Sequence, residues 1–164
     1  MTFTEKKQHI IDAAVVALSC KGKRATISEI AETAGVNESI IYNYFQNKTD
    51  LLFYAAGESL HRRIIELERQ LAGIHEPVSR LAKLIWFQLT YHEDQPGYAK
   101  YSIFDCRADK AFFRHEGSIH FINWIRIVNS ILKDGVNDGS FSGDIPFIIA
   151  SSMIIGVIDM ANIQ

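Results

Sequence analysis

The sequence predicts an all-α fold. Apolar residues recur every three to four positions through most of the 164-residue chain, which is the period of an α-helix. Only 3 prolines interrupt it, so long helices can form without kinks. Apolar residues make up 48% and charged residues 22%, the balance of a folded globular chain. At this length we expect one compact domain or two small ones.

Helix 1 is expected from about Thr4 to Lys21. Ile10, Ala14 and Leu18 belong to an apolar stripe at helical spacing, which marks the face turned to the core. Gly22 follows the last periodic residue and is a suitable stop signal. This helix supplies a base on which the next two short helices can pack.

Two short helices separated by a tight turn come next. Thr26 and Glu29 have the spacing of a capping box, which opens helix 2. Gly35 ends that helix, at a position where only glycine adopts a positive φ at low cost. Asn37 is expected to cap helix 3, which at about two turns is marginal by itself. The arrangement is typical of a helix-turn-helix, whose second helix enters the major groove of DNA.

Five further helices complete the predicted fold. Asn47 with Asp50 is expected to cap helix 4, Pro77 lies in the first turn of helix 5, and an aspartate caps helix 8. The expected limits are 47–72 for helix 4, 77–92 for helix 5, 98–106 for helix 6 and 109–134 for helix 7. Helix 8 is expected to begin after a cap at Asp144 and to be still continuing at Gln164.

Export and membrane insertion are not indicated. The first residues lack a basic segment followed by an apolar one, and the most apolar run, 145–158, is too short to span a bilayer. Cys20 and Cys106 do not have the spacing of a metal-binding or redox pair, so we expect two reduced thiols. The sequence therefore predicts a cytoplasmic protein without a membrane partner.

No residue pattern indicates catalysis. The sequence lacks a recognisable nucleophile–base pair, a phosphate-binding loop and a metal cluster. His115 and His120 are five residues apart rather than four, so they do not share a helix face as metal ligands would. Together with His92, they are expected at the surface or in a pocket wall. We expect no catalytic residues, no metal and no cofactor.

The charge of the chain does not support nucleic-acid binding. Net charge is −2, and the first 50 residues contain six basic and six acidic side chains, whereas a basic domain is the usual footprint of such proteins. DNA binding must therefore rest on the motif. A helical adaptor that dimerises without binding DNA stays open as an alternative, and so, with less support, does an enzyme acting on an acyl compound.

Three short segments carry a family resemblance. Residues 30–36 (IAETAGV), 41–45 (IYNYF) and 47–52 (NKTDLL) resemble the tetracycline-repressor (TetR) family of bacterial regulators, and the match extends over about residues 6–54. The resemblance implies a homodimeric repressor of double-stranded operator DNA. It divides the chain into a helix-turn-helix domain, 1–50, and an effector-binding and dimerisation domain, 51–164.

The resemblance also implies DNA contacts. The family pattern puts base or phosphate contacts at positions held here by Thr26, Asn37, Glu38, Ser39, Tyr42, Tyr44 and Lys48. Ile40 departs from the pattern, because the family commonly has a small residue there, and it leaves the preferred base undetermined.

The second domain is rich in aromatic residues, which favours a pocket for a small apolar effector. Segments 101–107, 112–114 and 131–141 are similar to TetR-type regulators of fatty-acid metabolism, in which a long acyl chain on coenzyme A enters the body. The expected pocket residues are Trp86, Phe87, Tyr91, Tyr101, Phe104, Phe121 and Trp124.

Helix 8 has the composition of a helix–helix interface. Ala150, Ser151, Ser152 and Gly156 are small residues beside apolar neighbours, so a second helix could approach closely. The resemblance implies a dimer interface built from the last two helices of each subunit. We expect only the first of this pair within the 164 residues, so either the domain is truncated at its C-terminus or its tail is missing from the sequence.

Overall fold

The computed structural model describes residues 2–161, and the all-α prediction is confirmed: eight α-helices and no strand occur in that range. The helices are α1 Phe3–Lys21, α2 Ile27–Thr33, α3 Glu38–Ile41, α4 Lys48–Leu71, α5 Pro77–Asp94, α6 Pro96–Lys100, α7 Ser118–Asn137 and α8 Phe147–Ala161. Shorter helical turns are the 3₁₀ segments Gly22–Arg24 and Phe112–Arg114 and the π-helical segment Tyr101–Cys106. None of the described helices has the length and apolar content needed to cross a membrane.

Residue contacts group the chain into two compact units. The first unit consists of residues 1–61 and 95–120, and the second consists of 62–94 and 121–164. Helices α4 and α7 therefore contribute residues to both units. The predicted boundary at residue 50 separates a DNA-binding domain from an effector-binding and dimerisation domain rather than two compact units. It stays a prediction.

The core of the first unit is built around α1. This helix begins at Phe3, slightly earlier than predicted, because Thr2 and Glu5 form a capping box before it. Ile10, Ala14 and Leu18 are fully buried, as the apolar stripe predicts. The far end of α1 approaches α6 closely, since glycines at both contact points let the two backbones touch. The first unit thus joins the N-terminal helices to residues 95–120.

Two predicted helices differ from the structure. Helix 6, expected over 98–106, is helical throughout that range and ends at Cys106, but it starts two residues earlier, at Pro96, and its second half is π-helical from Tyr101. Helix 7 was expected from Asp109, but α7 starts only at Ser118. Residues 109–117 form tight turns instead, because Phe112 is buried against α4 and the following residues hydrogen-bond to that helix. Such contacts across a long sequence separation override the local helical pattern.

The second unit has its core between α5, α7 and part of α4. Leu67, Leu84, Val128 and Ile131 are buried there, and Arg80 and Asp134 connect α5 with α7 through a 3.1 Å ion pair. Helix α8 starts three residues later than the predicted cap.

The predicted cap at Asp144 is wrong. The carboxylate of Asp144 accepts a hydrogen bond from the Ser142 hydroxyl (2.7 Å), whereas the Pro146 carbonyl accepts the first backbone N–H groups of α8, from Ile149 and Ala150. The predicted continuation of the helix to Gln164 lies outside the described residues.

Candidate nucleic-acid interface

The turn between α2 and α3 forms as its sequence predicts. The backbone N–H of Glu29 donates to Thr26 Oγ1 (3.2 Å), and that of Thr26 donates to Glu29 Oε2 (3.0 Å). The capping box is therefore confirmed. Gly35 has a φ of 61°, so its predicted left-handed conformation is confirmed as well. The Val36 N–H then donates to the Ala31 carbonyl (3.0 Å), which ties the turn back onto α2.

Helix α3 is a single turn that is anchored by buried side chains. Ile41 and Phe45 are buried, and the N–H of Phe45 donates to the Ile41 carbonyl (3.0 Å). Asn37 occupies the N-cap position, but its side chain makes no capping hydrogen bond, so the predicted cap is wrong in that respect. The Asn37 carbonyl accepts the Ile40 N–H (2.9 Å) instead. Its amide group thereby remains available to a ligand.

The outward side of α3 carries the predicted DNA contacts. Asn37, Glu38, Ser39 and Tyr42 are exposed. Tyr44 is half-buried, with its ring centroid 4.5 Å from that of Phe3. The structure thus brings these side chains to one short, anchored helix and its immediate end, although their role as contacts stays a prediction.

Lys48 begins α4 beside the same surface. Asn47 Oδ1 accepts the N–H of Asp50 (3.0 Å), which confirms the predicted cap. The ammonium group of Lys48 donates to the carbonyl of Lys23 in the link between α1 and α2 (2.8 Å). Lys23 itself pairs with Asp105 at 2.7 Å. Lys48 is therefore tied to the link that precedes α2. Thr26, at the start of that helix, accepts a capping hydrogen bond through its hydroxyl and keeps its own hydrogen for another acceptor.

The predicted pocket residues fall into both units. Tyr101, which is buried, and Phe104, which is exposed, belong to the first unit. The other five belong to the second. Among these, Trp86 is 67% exposed, while Tyr91 and Trp124 flank the buried guanidinium of Arg63 at 4.6 and 5.2 Å from their ring centroids. The pocket itself stays a prediction.

A polar network at the start of α4 was missed in the sequence. His115 Nε2 lies 2.9 Å from Asp50 Oδ1, and the Tyr54 hydroxyl donates to Glu116 (2.8 Å). Burial, followed by the nearby Glu116 carboxylate, raises the pKa of Tyr54 to about 12. These partners are more than 60 positions apart in the chain, so local spacing contains no signal for them.

Among the described residues, no group of three or more His, Cys, Asp or Glu side chains could hold a metal ion. Cys20 and Cys106 are both free thiols, as predicted. Burial raises the pKa of Cys106 well above its usual range. The thiol is therefore protonated and packs as a small apolar side chain.

Sequence comparison matches both parts of the chain to known families. Residues 10–55 match "Bacterial regulatory proteins, tetR family", and residues 57–163 match "YsiA-like protein, C-terminal region". The fatty acid metabolism regulator protein of Bacillus subtilis (strain 168) is 27% identical over 155 residues, or 94% of this chain and 80% of that protein. The HTH-type transcriptional regulator HbdR of Aromatoleum sp. (strain CIB) is 37% identical over 83 residues, or 50% of this chain and 36% of that protein.

Known structures share the fold. The crystal structure of the transcriptional regulator FadR from Bacillus subtilis in complex with stearoyl-CoA matches with a TM-score of 0.79 and 25% identity, covering 94% of this chain and 84% of that one. The fatty acid degradation regulator FadR from Bacillus halodurans matches with a TM-score of 0.78 and 25% identity, covering 96% and 82%. These relatives are transcription regulators and not enzymes, in agreement with the predicted class. With a matching helix-turn-helix region, a matching C-terminal region and the same fold, the chain belongs to the tetracycline-repressor (TetR) family of bacterial transcription regulators.

Proposed function

We propose that this chain is a homodimeric repressor that leaves a pseudo-palindromic operator when a small apolar effector binds. The observation that carries the DNA part of the proposal is the exposed set of polar side chains on α3, held in place by Ile41 and Phe45. In a dimer, two such helices would enter successive major grooves about 34–36 Å apart. Operator DNA lies in the bacterial cytoplasm, where we expect the protein.

Helix α8 supports the homodimer. Ser151 and Ile158 are its buried residues, while large apolar side chains on and just before it are exposed: Ile145, Phe147, Ile148, Ile149, Met153, Val157 and Met160. A Cβ built on Gly156 would meet no atom within 4 Å. A monomer rarely exposes so large an apolar face. A second copy of the chain, using the same face, would cover it.

A long-chain acyl-CoA is the effector class that we propose. The support is the stearoyl-CoA in the complex of the similar FadR of Bacillus subtilis, together with the aromatic residues of the second unit. An effector acts only through its different affinity for the DNA-bound and the released states. The proposal therefore predicts a measurable effect on operator affinity and not merely on protein stability.

Stearoyl-CoA is expected to weaken binding to a DNA fragment from upstream of the protein's own gene by about five- to a hundredfold. A gel-shift titration measures this, with free coenzyme A as the control that lacks the apolar chain. A thermal shift with stearoyl-CoA should accompany the release. Retention of the DNA and an unchanged melting temperature at saturating acyl-CoA would overturn the effector assignment and leave DNA binding intact.

Tyr42→Phe is expected to weaken operator binding by about three- to tenfold, since it removes one hydrogen bond to DNA. Tyr42 is 53% exposed, and no intramolecular hydrogen bond of its hydroxyl is present among the described residues, so the fold should be unaffected. The same change at half-buried Tyr44 should have a smaller effect. Equal affinity of the Tyr42→Phe and wild-type proteins, measured by fluorescence anisotropy, would remove Tyr42 from the interface.

An adaptor that dimerises without binding DNA is the second candidate. The equal numbers of basic and acidic residues in the first 50 positions favour it, and so does the exposed Glu38 on α3. An acid at that place is repelled by phosphates unless it accepts a hydrogen bond from cytosine. A wild-type dimer that fails to shift the upstream fragment even at low salt would support this candidate.

A further inference from the structure

A surface depression of about 550 Å³ joins two distant parts of the first unit. One side is the start of α4, residues 46–50, which includes Lys48. The other side is Ala111, Arg114 and His115, from the segment between α6 and α7. Arg114 lies outside the predicted DNA-binding domain in sequence, but it lines the same depression as Lys48, which is predicted to contact a phosphate.

The backbone of Arg114 is anchored on both sides. Before it, Phe112 is buried, with its ring centroid 5.3 Å from that of Phe53 in α4. After it, the Gly117 N–H donates to His115 Nδ1 (3.0 Å). Because Nδ1 accepts, a neutral His115 carries its proton on Nε2 and donates it to Asp50 Oδ1 (2.9 Å). Arg114 therefore has a defined place relative to the first turn of α4.

Gly117, which follows His115 by two residues, allows the backbone to approach α4 closely. A Cβ built on Gly117 would lie 2.4 Å from the Phe53 carbonyl oxygen, a distance that only glycine permits. The segment is thus held against α4 by backbone contact as well as by side chains. An arginine presented from such a support loses little further backbone entropy when it binds a partner.

The charges in the depression favour an anion. Lys48 and Arg114 are its two permanent cations, and Asp50 is its one acid. The carboxylate of Asp50 accepts hydrogen bonds from His115 and, through Oδ2, from the Gln46 N–H (2.8 Å). The side chain of Arg114 is exposed, and among the described residues it has no ion pair. A guanidinium so placed suits a phosphate oxygen.

We propose that Arg114 contacts a backbone phosphate of duplex DNA, next to the phosphate contacted by Lys48. The contact extends the DNA interface beyond the helix-turn-helix and adds a cation that the neutral first 50 residues lack. It carries no base specificity, because phosphates are the same in every sequence. The inference rests on the DNA binding of the proposed function and on the predicted role of Lys48.

Arg114→Gln is expected to weaken operator binding about three- to tenfold and to flatten the plot of log affinity against log salt by about one unit per protomer, since each lost contact releases about one counterion fewer. Arg114→Lys should keep the salt slope. Lys100→Gln is the matched control, because Lys100 is an exposed cation of the same unit that does not line the depression. Affinities of the variant and wild-type proteins would be measured by anisotropy between about 50 and 300 mM KCl.

Phosphate ethylation interference locates the contact. With Arg114→Gln, interference should disappear at a phosphate adjacent to the one whose signal disappears with Lys48→Ala. An unchanged salt slope for Arg114→Gln, or an equal change for Lys100→Gln, would overturn the proposal. Weaker binding of acyl-CoA with unchanged operator affinity would also overturn it and assign the cation to the effector. If the wild-type protein itself does not bind the fragment, the proposed function fails instead.

Discussion

Val157→Glu is expected to convert the dimer into monomers and to weaken operator binding at least about a hundredfold. Val157 is 70% exposed on α8, in the middle of the apolar face that we assign to the dimer. A glutamate there would place a charge in an apolar interface without a partner, which costs several kcal/mol. Each half-site would then be bound by a single helix-turn-helix, and the gain from two linked contacts would be lost.

Val78→Glu is the matched control for this prediction. It is the same substitution at a valine of the second unit that is 54% exposed, but on α5 rather than α8. Analytical ultracentrifugation measures the oligomeric state, and anisotropy measures operator affinity. Should Val157→Glu remain a dimer with wild-type affinity, the α8 face would not be the dimer interface. A dimer loss shared by both variants would point to a general effect of added charge.

Gly97→Ala is expected to lower the free energy of unfolding by about 2–3 kcal/mol and the melting temperature by roughly 5–10 °C. A Cβ at this position would lie 2.5 Å from the Ser19 carbonyl oxygen and 2.7 Å from that of Leu18. Both atoms belong to the backbone of α1, so they cannot swing aside as a side chain would. Helix propensity alone favours alanine by about 1 kcal/mol, but the steric conflict is larger.

Gly156→Ala provides the comparison, because it is the same change in another helix. A Cβ at Gly156 would meet no atom of its own chain within 4 Å. Both glycine variants are therefore compared in the monomeric Val157→Glu background, where no partner helix packs on α8, so that only helix propensity acts at Gly156 and stability should stay equal or rise. Thermal unfolding at one protein concentration measures both variants. Equal melting temperatures with and without Gly97→Ala would show that α1 and α6 do not touch as closely as described.

The helix-turn-helix could be predicted because its signals are local. Thr26 and Glu29 satisfy each other's backbone groups within one turn, and Gly35 takes the positive φ that its place after α2 requires. Asn47 caps α4 in the same way. In each case the interacting groups are three or four residues apart, so the physical cause is visible in the order of residues.

The stretch from α6 to α7 could not be predicted in this way. Its periodic apolar residues suggested a helix from Asp109, yet Phe112 and His115 turn toward α4 and α7 starts only at Ser118. A side chain that gains burial or a hydrogen bond with a distant partner outweighs a weak helical propensity. A single sequence does not reveal which distant residues will meet.

The sequence by itself determined the helical fold, the capped turn between α2 and α3, and the family resemblance, since these depend on residue types at short spacings. Only the tertiary structure decided that Lys48 lies against Lys23, that His115 holds Asp50, and that Arg114 is presented beside the start of α4. The physical reason is that these residues are far apart in the chain and meet only because α1, α4 and Phe112 are buried in one core. Helix α3, which is predicted to enter the major groove, forms from signals that lie close together in the sequence. The packing that holds α3 in place and the proposed phosphate contact of Arg114 arise instead between distant segments.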